Sequence, residues 1–456
     1  MVNSESASFR DRPINMLESG NRKWIYAKQP KGKWYTRRTV FGWFCIFFLI
    51  FAPLIKIKGN PLMLFDVANR KFFIFGQLIW AQDSYLLALI MLIVVVSIVL
   101  FTVVFGRLWC GWACPQTLFM EMVFRRIEYL FDGNYRQGKK KSTQSIKYII
   151  RTISKHATFL LTSILITNVF LNWFVGPERL WQIVSSPISE NLMGFTFMMA
   201  ISIFYYFIYS YFREQVCTMF CPYGRMQGVL LDSKSIAVIY DYKRGEPRGT
   251  KTQGDCIDCK QCISVCPTGI DIKDGSQLEC INCTACIDEC NTVMRKIGKP
   301  GNLIRFDSVH GIETGQRLIF NARTYSYSAV LAILMLVLAV TLFNRTTIDS
   351  TILRVPGTLY QEVGDGVYSN LYNVKIINKT QADKNLDFRL LQPQTGEIQF
   401  AGENHTLKKD GKFEGVLIIK LKKENTSGKS TPIEIGIFEN NGLLETYETN
   451  FIGPVQ

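Results

Sequence analysis

Eight cysteines between residues 256 and 290 form two runs with the same spacing, C-x-x-C-x-x-C-x-x-x-C. The first run consists of Cys256, Cys259, Cys262 and Cys266, and the second of Cys280, Cys283, Cys286 and Cys290. Such runs hold 4Fe-4S clusters, and where two runs occur, the fourth cysteine of each ligates the cluster of the other. One cluster is therefore expected on Cys256, Cys259, Cys262 and Cys290, and the other on Cys280, Cys283, Cys286 and Cys266.

Two zinc sites are the alternative interpretation of these cysteines. Zinc ribbons pair two C-x-x-C knuckles per ion and do not repeat a four-cysteine run. The spacing favours iron–sulfur clusters, which carry one electron at a time. All thirteen cysteines precede residue 291, and residues 344–456 contain none. We therefore expect the clusters in a reducing compartment and no disulfide in the C-terminal region.

Two C-x-x-x-C-P motifs precede the cluster runs, at Cys110/Cys114 and at Cys217/Cys221. Each follows a pair of long apolar segments, which indicates an internal repeat. A spacing of four predicts two thiols on one face of a helical turn. Soft sulfur ligands select Cu(I), zinc or iron–sulfur centres.

Three functional interpretations of these motifs are open: a copper site, a thiol–disulfide relay, or a contact surface for the clusters. Packing of small residues where helices leave the membrane is the alternative, but two equivalent occurrences make coincidence a weak explanation. We expect the four motif cysteines to act in catalysis and to contact copper. Nearby thioethers that could join them belong to Met120, Met122, Met219 and Met226.

Five apolar segments predict membrane-spanning helices. Hydrophobic residues make up 48% of the 456 residues, and a helix needs roughly 20 apolar residues to cross a bilayer core. The segments are 39–55, 84–105, 157–174, 191–212 and 326–343. No secretory signal is expected, because 38 mostly polar residues precede the first segment.

Basic residues flank some of these segments and not others. Residues 1–38 hold nine Lys and Arg against three acids, and residues 106–155 hold ten against three. The connections at 56–82 and 175–190 hold four and one. The positive-inside rule then places the N-terminus and the clusters in the cytoplasm of a bacterial inner membrane, and five spans place the C-terminal domain in the periplasm. The net charge of +15 thus reflects topology, and nucleic-acid binding is not expected.

The expected architecture is a multi-domain membrane protein. It combines a five-helix transmembrane α bundle, an inserted bacterial dicluster ferredoxin-like α+β domain and a C-terminal all-β immunoglobulin-like sandwich. The expected segments are a basic tail (1–38), a four-span membrane domain (39–242), the ferredoxin domain (243–300), a cytoplasmic connector (301–325), the fifth transmembrane helix (326–343) and the periplasmic domain (344–456). Strands of the sandwich are predicted at 372–377, 387–391, 397–400, 414–421, 433–438 and 444–451, with a tight turn at 440–442.

Other residues that could do chemistry have simpler explanations. Cys45 has no second cysteine nearby, and we expect it in apolar packing. Only one of three histidines, His156, lies near a predicted span, so a membrane haem is not expected. Arg107, Arg125 and Arg126 are expected to anchor helices at the cytoplasmic surface, with a role beside the thiolates as the alternative.

With these residues in hand, the chain resembles the FixG/RdxA/CcoG family of cytochrome c oxidase accessory proteins. The resemblance rests on the basic tail, the segment from Gly106 to Thr117, the pair Cys217/Cys221, the double ferredoxin run, the fifth span and the C-terminal sandwich. It covers nearly the whole chain. The resemblance implies cupric reduction for assembly of a cbb-type cytochrome c oxidase, with copper chaperones or oxidase assembly factors as partners.

Two further functions stay open at this point. Membrane ferredoxins of nitrate-reduction systems share four spans, both C-x-x-x-C-P pairs and a double cluster run, which favours a quinol-linked electron-transfer subunit. A redox-sensing assembly scaffold is the other. The sequence leaves the cytoplasmic electron donor unnamed, and it leaves the oligomeric state open, a homodimer included.

Overall fold

The structure is a computed structural model that describes most of the chain. The described ranges are 24–57, 59–67, 69–80, 83–133, 146–250, 253–315, 322–364, 366–380, 382–401, 406–408, 411–426, 428–439 and 442–454. Residues 1–23 of the predicted tail and residues 440–441 of the predicted turn lie outside them. The chain divides into two compact units. The first consists of Met1–Ile55, Pro61–Ala68 and Ala88–Leu336, and the second of Lys56–Asn60, Asn69–Leu87 and Val337–Gln456.

Helices dominate the first unit. In chain order they are α1 (Lys33–Phe51), α2 (Ser84–Phe105), α3 (Leu108–Trp112), α4 (Pro115–Leu118), α5 (Arg125–Asp132), α6 (Ile146–Val175), α7 (Pro177–Ser185), α8 (Leu192–Phe207), α9 (Pro222–Leu230), α10 (Tyr242–Gly245), α11 (Gln261–Ser264), α12 (Ala285–Lys296), α13 (Val309–Thr314) and α14 (Ala322–Phe343). Wider π-helical turns occur at Phe119–Phe124, Ile208–Phe212 and Val216–Phe220. Helices α2 and α14 contribute residues to both units.

Strands supply most of the second unit. In chain order they are β1 (Lys56–Ile57), β2 (Asn60–Pro61), β3 (Met63–Asp66), β4 (Lys71–Ile74), β5 (Gln77–Trp80), β6 (Ala237–Tyr240), β7 (Ile304–Asp307), β8 (Ile348–Arg354), β9 (Gln361–Gly364), β10 (Val367–Asn378), β11 (Lys384–Asn385), β12 (Asp387–Gln392), β13 (Glu397–Ala401), β14 (Thr406–Leu407), β15 (Lys412–Lys422), β16 (Thr431–Glu439) and β17 (Gly442–Phe451). Of these, β3, β6 and β7 belong to the first unit.

Among the described residues, four helices are long and apolar enough to cross a membrane. They are α2, α6, α8 with its π-helical extension to Phe212, and α14. Four of the five predicted spans therefore form the helices that they require. Helix α6 begins at Ile146, well before the predicted span at 157–174.

The predicted first span at 39–55 lies in α1, which ends at Phe51. Its apolar side chains, such as Phe44 and Phe47, are exposed. Its first turns, however, carry Arg37 and Arg38, and α1 is not among the four helices that meet the length and hydropathy requirement. The count of five spans thus stays a prediction.

The start of α1 is held by the ferredoxin domain within the same unit. Carboxylate oxygens of Asp288 accept hydrogen bonds from the backbone N–H groups of Trp34 (3.2 Å) and Tyr35 (2.7 Å). These are donors that the first turn of a helix leaves without intrahelical partners. A Cβ atom at Gly32 would lie 2.3 Å from Asp288 Cγ, so only glycine allows this approach. The chain ahead of α1 forms an ion pair between Lys28 and Glu289.

The ferredoxin domain has the predicted α+β character. Strands β6 and β7 pair antiparallel and flank the short helices α11 and α12. Its apolar core consists of Val238, Tyr240, Ile270, Ile272, Ile287, Met294, Leu303 and Ile304, and six of the eight cluster cysteines pack against that core. The cysteine-bearing loops therefore pack on this apolar core.

The C-terminal region forms the predicted sandwich of two antiparallel sheets. One sheet has the order β13-β15-β10-β8, with β9 paired to β10, and the other has the order β12-β16-β17. Alternating side chains of β10 and β15 face the isoleucines of β16 across the core, where Tyr372, Leu417 and Ile435 are fully buried. All six predicted strands are confirmed; β8, β9 and the short β11–β14 pair are additions. The second unit also includes the β4–β5 hairpin.

Candidate functional site

The two cluster runs fold into loops with the same backbone pattern. The third and fifth positions of each run, Asp258 and Lys260 in the first and Asn282 and Thr284 in the second, have positive φ angles between 52° and 66°. Non-glycine residues adopt this conformation in only a few per cent of cases. Left-handed residues between right-handed ones point successive backbone N–H groups to one side and make an anion-binding concavity. Both loops are therefore shaped to receive an anionic group.

Five cysteines line one cavity at the cluster runs: Cys262 and a group of four. The four are Cys266, Cys280, Cys283 and Cys286; the lining also includes Thr268, Ile270 and Ile281, and the space, part of it open to solvent, is about 350 Å³. Every pair among the four thiols is close enough for thiolate charges to interact. This is the set predicted for the second cluster, including the fourth cysteine of the first run.

The first set is brought together in the same crossed way. Cys290, from the second run, lies within electrostatic reach of Cys256 and Cys259, and Cys262 lies within reach of Cys259 and Cys290. Burial raises the pKa of Cys262 and of Cys290 to about 12. Such thiols lose their protons when a metal replaces them. The cavity, the left-handed positions of the loop backbones and the crossed grouping of the thiols fit two 4Fe-4S clusters.

The C-x-x-x-C-P motifs have a different local structure from the one that their spacing predicts. The two thiols of a motif do not share one helical turn. In the first motif, α3 ends at Trp112, and Cys114 is extended (ψ 124°) and caps α4; in the second, Cys221 is extended (ψ 113°) and caps α9. The prediction is wrong because a residue before proline is pushed out of the helical region. Pro115 and Pro222 then occupy the first helical positions.

The four motif cysteines nonetheless converge. We call Cys110, Cys114, Cys217 and Cys221 the thiol tetrad. Each of its six pairs lies within reach of thiolate electrostatics. Backbone N–H groups of Gln116 and Thr117, in the first turn of α4, lie close to Cys114 and favour its thiolate form.

The tetrad lies against the second cluster loop. Cys110 is buried and packs with Val265, Ile281 and Cys283. A Cβ atom at Gly111 would lie 2.1 Å from the Ile281 carbonyl oxygen, and Trp112 Nε1 donates a 3.1 Å hydrogen bond to the Asn282 carbonyl. The first motif therefore meets the cluster loop backbone to backbone.

Two buried arginines accompany this contact. Arg38 Nε donates to the Gly111 carbonyl (2.7 Å), and Arg107 Nε donates to Gln227 Oε1 (2.8 Å). The charge of Arg38 acts on Cys283, and that of Arg107 acts on both Cys110 and Cys280. Within the described ranges neither guanidinium forms a salt bridge with a carboxylate. Since buried charges need a partner, anionic clusters are suitable counter-ions.

The predicted surface role of two arginines is wrong. Arg107 and Arg125 are each only 4% exposed, and Arg125 pairs with Glu121. Arg126 instead stacks over the Trp43 ring. Sequence reasoning missed Arg38 altogether, because its charge was counted with the tail. Its partners lie more than 70 positions away, and no local signal reveals them.

The methionines do not all reach the thiols. Met120 lines a cavity with Cys217, Glu121 and Thr117. Met122 packs against Gly42 of α1 inside an apolar cluster, and Met226 is 44% exposed. Met219 lies in a π-helical turn beside Cys217. In the described part of the chain, no three His, Cys, Asp or Glu side chains are spaced to hold a single metal ion.

Comparison with known proteins covers every domain. A 4Fe-4S dicluster family model matches residues 212–253 and 246–309, and a 4Fe-4S binding domain model matches residues 87–136. A model described as the IG-like fold at the C-terminal of FixG matches residues 338–454. The sandwich predicted from the strand pattern is thereby confirmed as immunoglobulin-like.

Related chains extend over most of the length. Protein RdxB of Cereibacter sphaeroides is 31% identical over 411 residues, which is 84% of each chain. Protein RdxA of the same organism is 32% identical over 72% of each chain. The chain belongs to the FixG/RdxA family. Nitrogen fixation protein FixG of Rhizobium meliloti is 29% identical over 75% of this chain and 73% of that one.

Membership in the FixG/RdxA family confirms the resemblance found in the sequence. The 4Fe-4S family models and the four apolar helices together make this protein a membrane iron–sulfur redox protein. The segment matched at 87–136 contains Cys110 and Cys114, so iron–sulfur chemistry is indicated at the motifs as well as at the cluster runs.

Proposed function

We propose that this FixG/RdxA-family protein reduces Cu(II) to Cu(I) for the assembly of a cbb-type cytochrome c oxidase. The observation that carries the proposal is the contact of the thiol tetrad, through Cys110, with Ile281 and Cys283 of the second cluster loop. When bound, 4Fe-4S clusters supply single electrons, and the reaction Cu(II) + e⁻ → Cu(I) consumes one. A one-electron donor in the cytoplasm restores the electron.

The cavity beside Cys217 is lined by side chains of the types that copper prefers in its two oxidation states, and these side chains would have to close in to hold one ion. Glu121 and Glu214 provide carboxylate oxygens, which Cu(II) prefers, and Met120 provides a thioether, which Cu(I) prefers. Thr268 and Ile281 line this cavity and also the cavity of the second cluster. A copper ion held here would therefore lie next to the electron source. Copper chaperones or oxidase assembly factors are the proposed recipients of Cu(I).

An anaerobic single-turnover experiment tests this function. The purified protein is reduced, excess reductant is removed, Cu(II) is added, and cluster absorbance is followed together with a Cu(I)-specific chelator. We expect the absorbance of oxidised clusters to return in step with Cu(I) formation. The Met120→Leu, Glu121→Gln double variant should slow Cu(I) formation, and Cys45→Ser should not. Clusters that stay reduced while no Cu(I) forms would refute copper reduction.

The proposed topology places the clusters in the cytoplasm and the sandwich in the periplasm. It requires α1 as a fifth span, and the exposed side chains of Phe44, Phe47 and Phe51 support this. A cysteine introduced at Lys429 in a background without other reactive thiols should react with a membrane-impermeant maleimide in intact spheroplasts. Reaction only after permeabilisation would place the sandwich in the cytoplasm.

A second candidate function is quinol oxidation, in which the electron donor comes from the membrane. It is favoured by two buried donors that line the cavity beside Cys217 and have no partner among the described residues, Gln116 Nε2 and Arg125 Nη1. A quinone oxygen would accept from both. Cluster reduction by a short-chain quinol, lost in Gln116→Leu, would support this function; its absence at every quinol concentration would eliminate it.

A further inference from the structure

The thiol tetrad repeats the arrangement of an iron–sulfur ligand set. In the second cluster set, each of the six thiol pairs lies within electrostatic reach. The same holds for all six pairs of Cys110, Cys114, Cys217 and Cys221. In both sets every thiol thus lies within electrostatic reach of the other three, although the tetrad comes from two distant segments.

The surroundings of the tetrad also match those of a cluster. Backbone N–H groups favour the charged form of a nearby cluster thiol: those of Asn282 and Ala285 act in this way on Cys280 and Cys283. In the tetrad, those of Gln116 and Thr117 act in the same way on Cys114 at the start of α4.

A buried cation completes this environment. Arg107 lies beside Cys110, and its Nη2 atom would be 2.8 Å from a Cβ atom at Gly224. The guanidinium therefore fits closely between the two motifs. A buried positive charge without a carboxylate partner calls for a negative group, and a 4Fe-4S cluster with four thiolates carries net negative charge.

The family matches give an independent reason. The 4Fe-4S binding domain model covers residues 87–136, which hold only two cysteines, Cys110 and Cys114. A 4Fe-4S cluster takes four thiolates, so two must come from elsewhere. Part of the dicluster model covers residues 212–253, which likewise hold only two, Cys217 and Cys221. Each segment therefore has two of the four cysteine ligands that a cluster needs, and the other segment has the remaining two.

We propose that the thiol tetrad holds a third 4Fe-4S cluster. The cluster would bridge the two C-x-x-x-C-P motifs and fix the helices α4 and α9 that follow them. It would lie beside the second ferredoxin cluster, because Cys110 and Cys283 belong to one buried cluster of side chains and Gly111 closely approaches the Ile281 carbonyl. Copper would then be reduced in the neighbouring cavity and not on the tetrad thiols. The proposal stands whether or not copper is the acceptor.

Iron and acid-labile sulfide content provide the test. The full-length protein is reconstituted anaerobically in detergent with iron and sulfide, desalted and assayed beside the variant Cys110→Ser, Cys217→Ser and the control Cys45→Ser. Wild type and control should contain about 12 iron atoms per chain, four for each of three clusters, and the double variant about eight. Iron bound at the eight ferredoxin cysteines shows that the variant is folded.

Equal iron content in wild type and double variant would overturn the third cluster. If wild type holds about eight iron atoms and takes up copper that the double variant does not, the tetrad is a copper site and the proposal is wrong. Copper reduction is measured separately, so either proposal can fail alone. A protein with three clusters that leaves Cu(II) unchanged would keep this inference and reject the proposed activity.

Discussion

The cluster loops and the thiol tetrad collect cysteines in opposite ways. The loops lie between residues 256 and 290. Left-handed residues at equivalent positions of the two runs determine their local backbone shape. The tetrad is assembled across the chain: Thr117 Oγ1 and Cys217 Sγ lie 4.0 Å apart although 100 positions separate them. A loop of the first kind can form by itself, whereas the second depends on how helices pack.

This difference extends to what surrounds the sulfurs. The loops rely on left-handed backbone positions, which belong to the backbone and survive most side-chain substitutions. The tetrad relies on single side chains and close approaches, such as Arg107 and the contact of Gly111 with Ile281. We therefore expect single substitutions to impair the tetrad region while the ferredoxin clusters persist.

Loss of a loop cysteine should produce the largest effect. Cys286 lies within electrostatic reach of Cys266, Cys280 and Cys283, so Cys286→Ser should remove about four iron atoms per chain and abolish copper reduction. Iron assay, electron paramagnetic resonance and Cu(I) formation measure this, with Cys45→Ser as control. An unchanged iron content would show that Cys286 is not a ligand and contradict the ligand set assigned to the second cluster.

Gly111→Ala should separate the two regions and leave the ferredoxin clusters in place. The new Cβ atom would meet the Ile281 carbonyl oxygen at 2.1 Å, and neither backbone can yield without moving its segment. Overpacking of this kind costs about 1–3 kcal/mol, and a displacement near 1 Å can slow a position-dependent reaction about 10²-fold. Cu(I) formation should fall while the iron signals of the loops remain.

Gly194→Ala is the matched control for that substitution. Its Cβ atom would make ordinary contacts of 3.5 Å with Ile183. The two variants should therefore differ strongly in Cu(I) formation. If they behave alike, the contact between Gly111 and Ile281 does not position the tetrad.

Removing the buried charge of Arg107 should change cluster potentials. Its guanidinium acts on Cys280 of one region and on Cys110 of the other, and it favours the electron-rich form of any cluster beside it. Arg107→Gln should lower the potential by tens of millivolts, where about 59 mV corresponds to a tenfold change in a one-electron equilibrium. Arg107→Lys should recover most of the loss.

Spectroelectrochemical titration measures this shift, and Arg126→Gln serves as the control because Arg126 stacks on Trp43 away from the thiols. Identical potentials for Arg107→Gln and the control would mean that no cluster lies near Arg107. That result would separate the two regions electrostatically and contradict the link that Arg107 makes between them.

The sequence predicted the cluster loops more completely than the tetrad. The loops depend on local spacing, whereas the tetrad depends on long-range packing. The spacing of the eight cysteines specifies their crossed grouping, and strand periodicity located six strands of the sandwich. The convergence of Cys110 with Cys221, and the burial of Arg38 against Gly111, depend on long-range packing that no local pattern encodes. The break of the helix at Cys114 could have been predicted from the sequence, because a residue that precedes proline disfavours the helical conformation.

Iron binding should release protons at both the cluster loops and the tetrad, and this is the smallest of the predicted effects. Burial raises the pKa of Cys280 and of Cys217 to about 12. Raised values mean that the iron-free fold favours the neutral thiols, and that this stabilisation is lost progressively as pH rises from about 9 to about 12. Iron replaces those protons, so its incorporation should strengthen from about pH 7 to pH 9 and release roughly one proton per ligating thiol. In a pH-stat, wild type should release more protons than Cys110→Ser, Cys217→Ser: about four from the ligating thiols and about four more from the hydrosulfide ions that become cluster sulfide. Equal release would limit iron to the loops and make the tetrad a different kind of site.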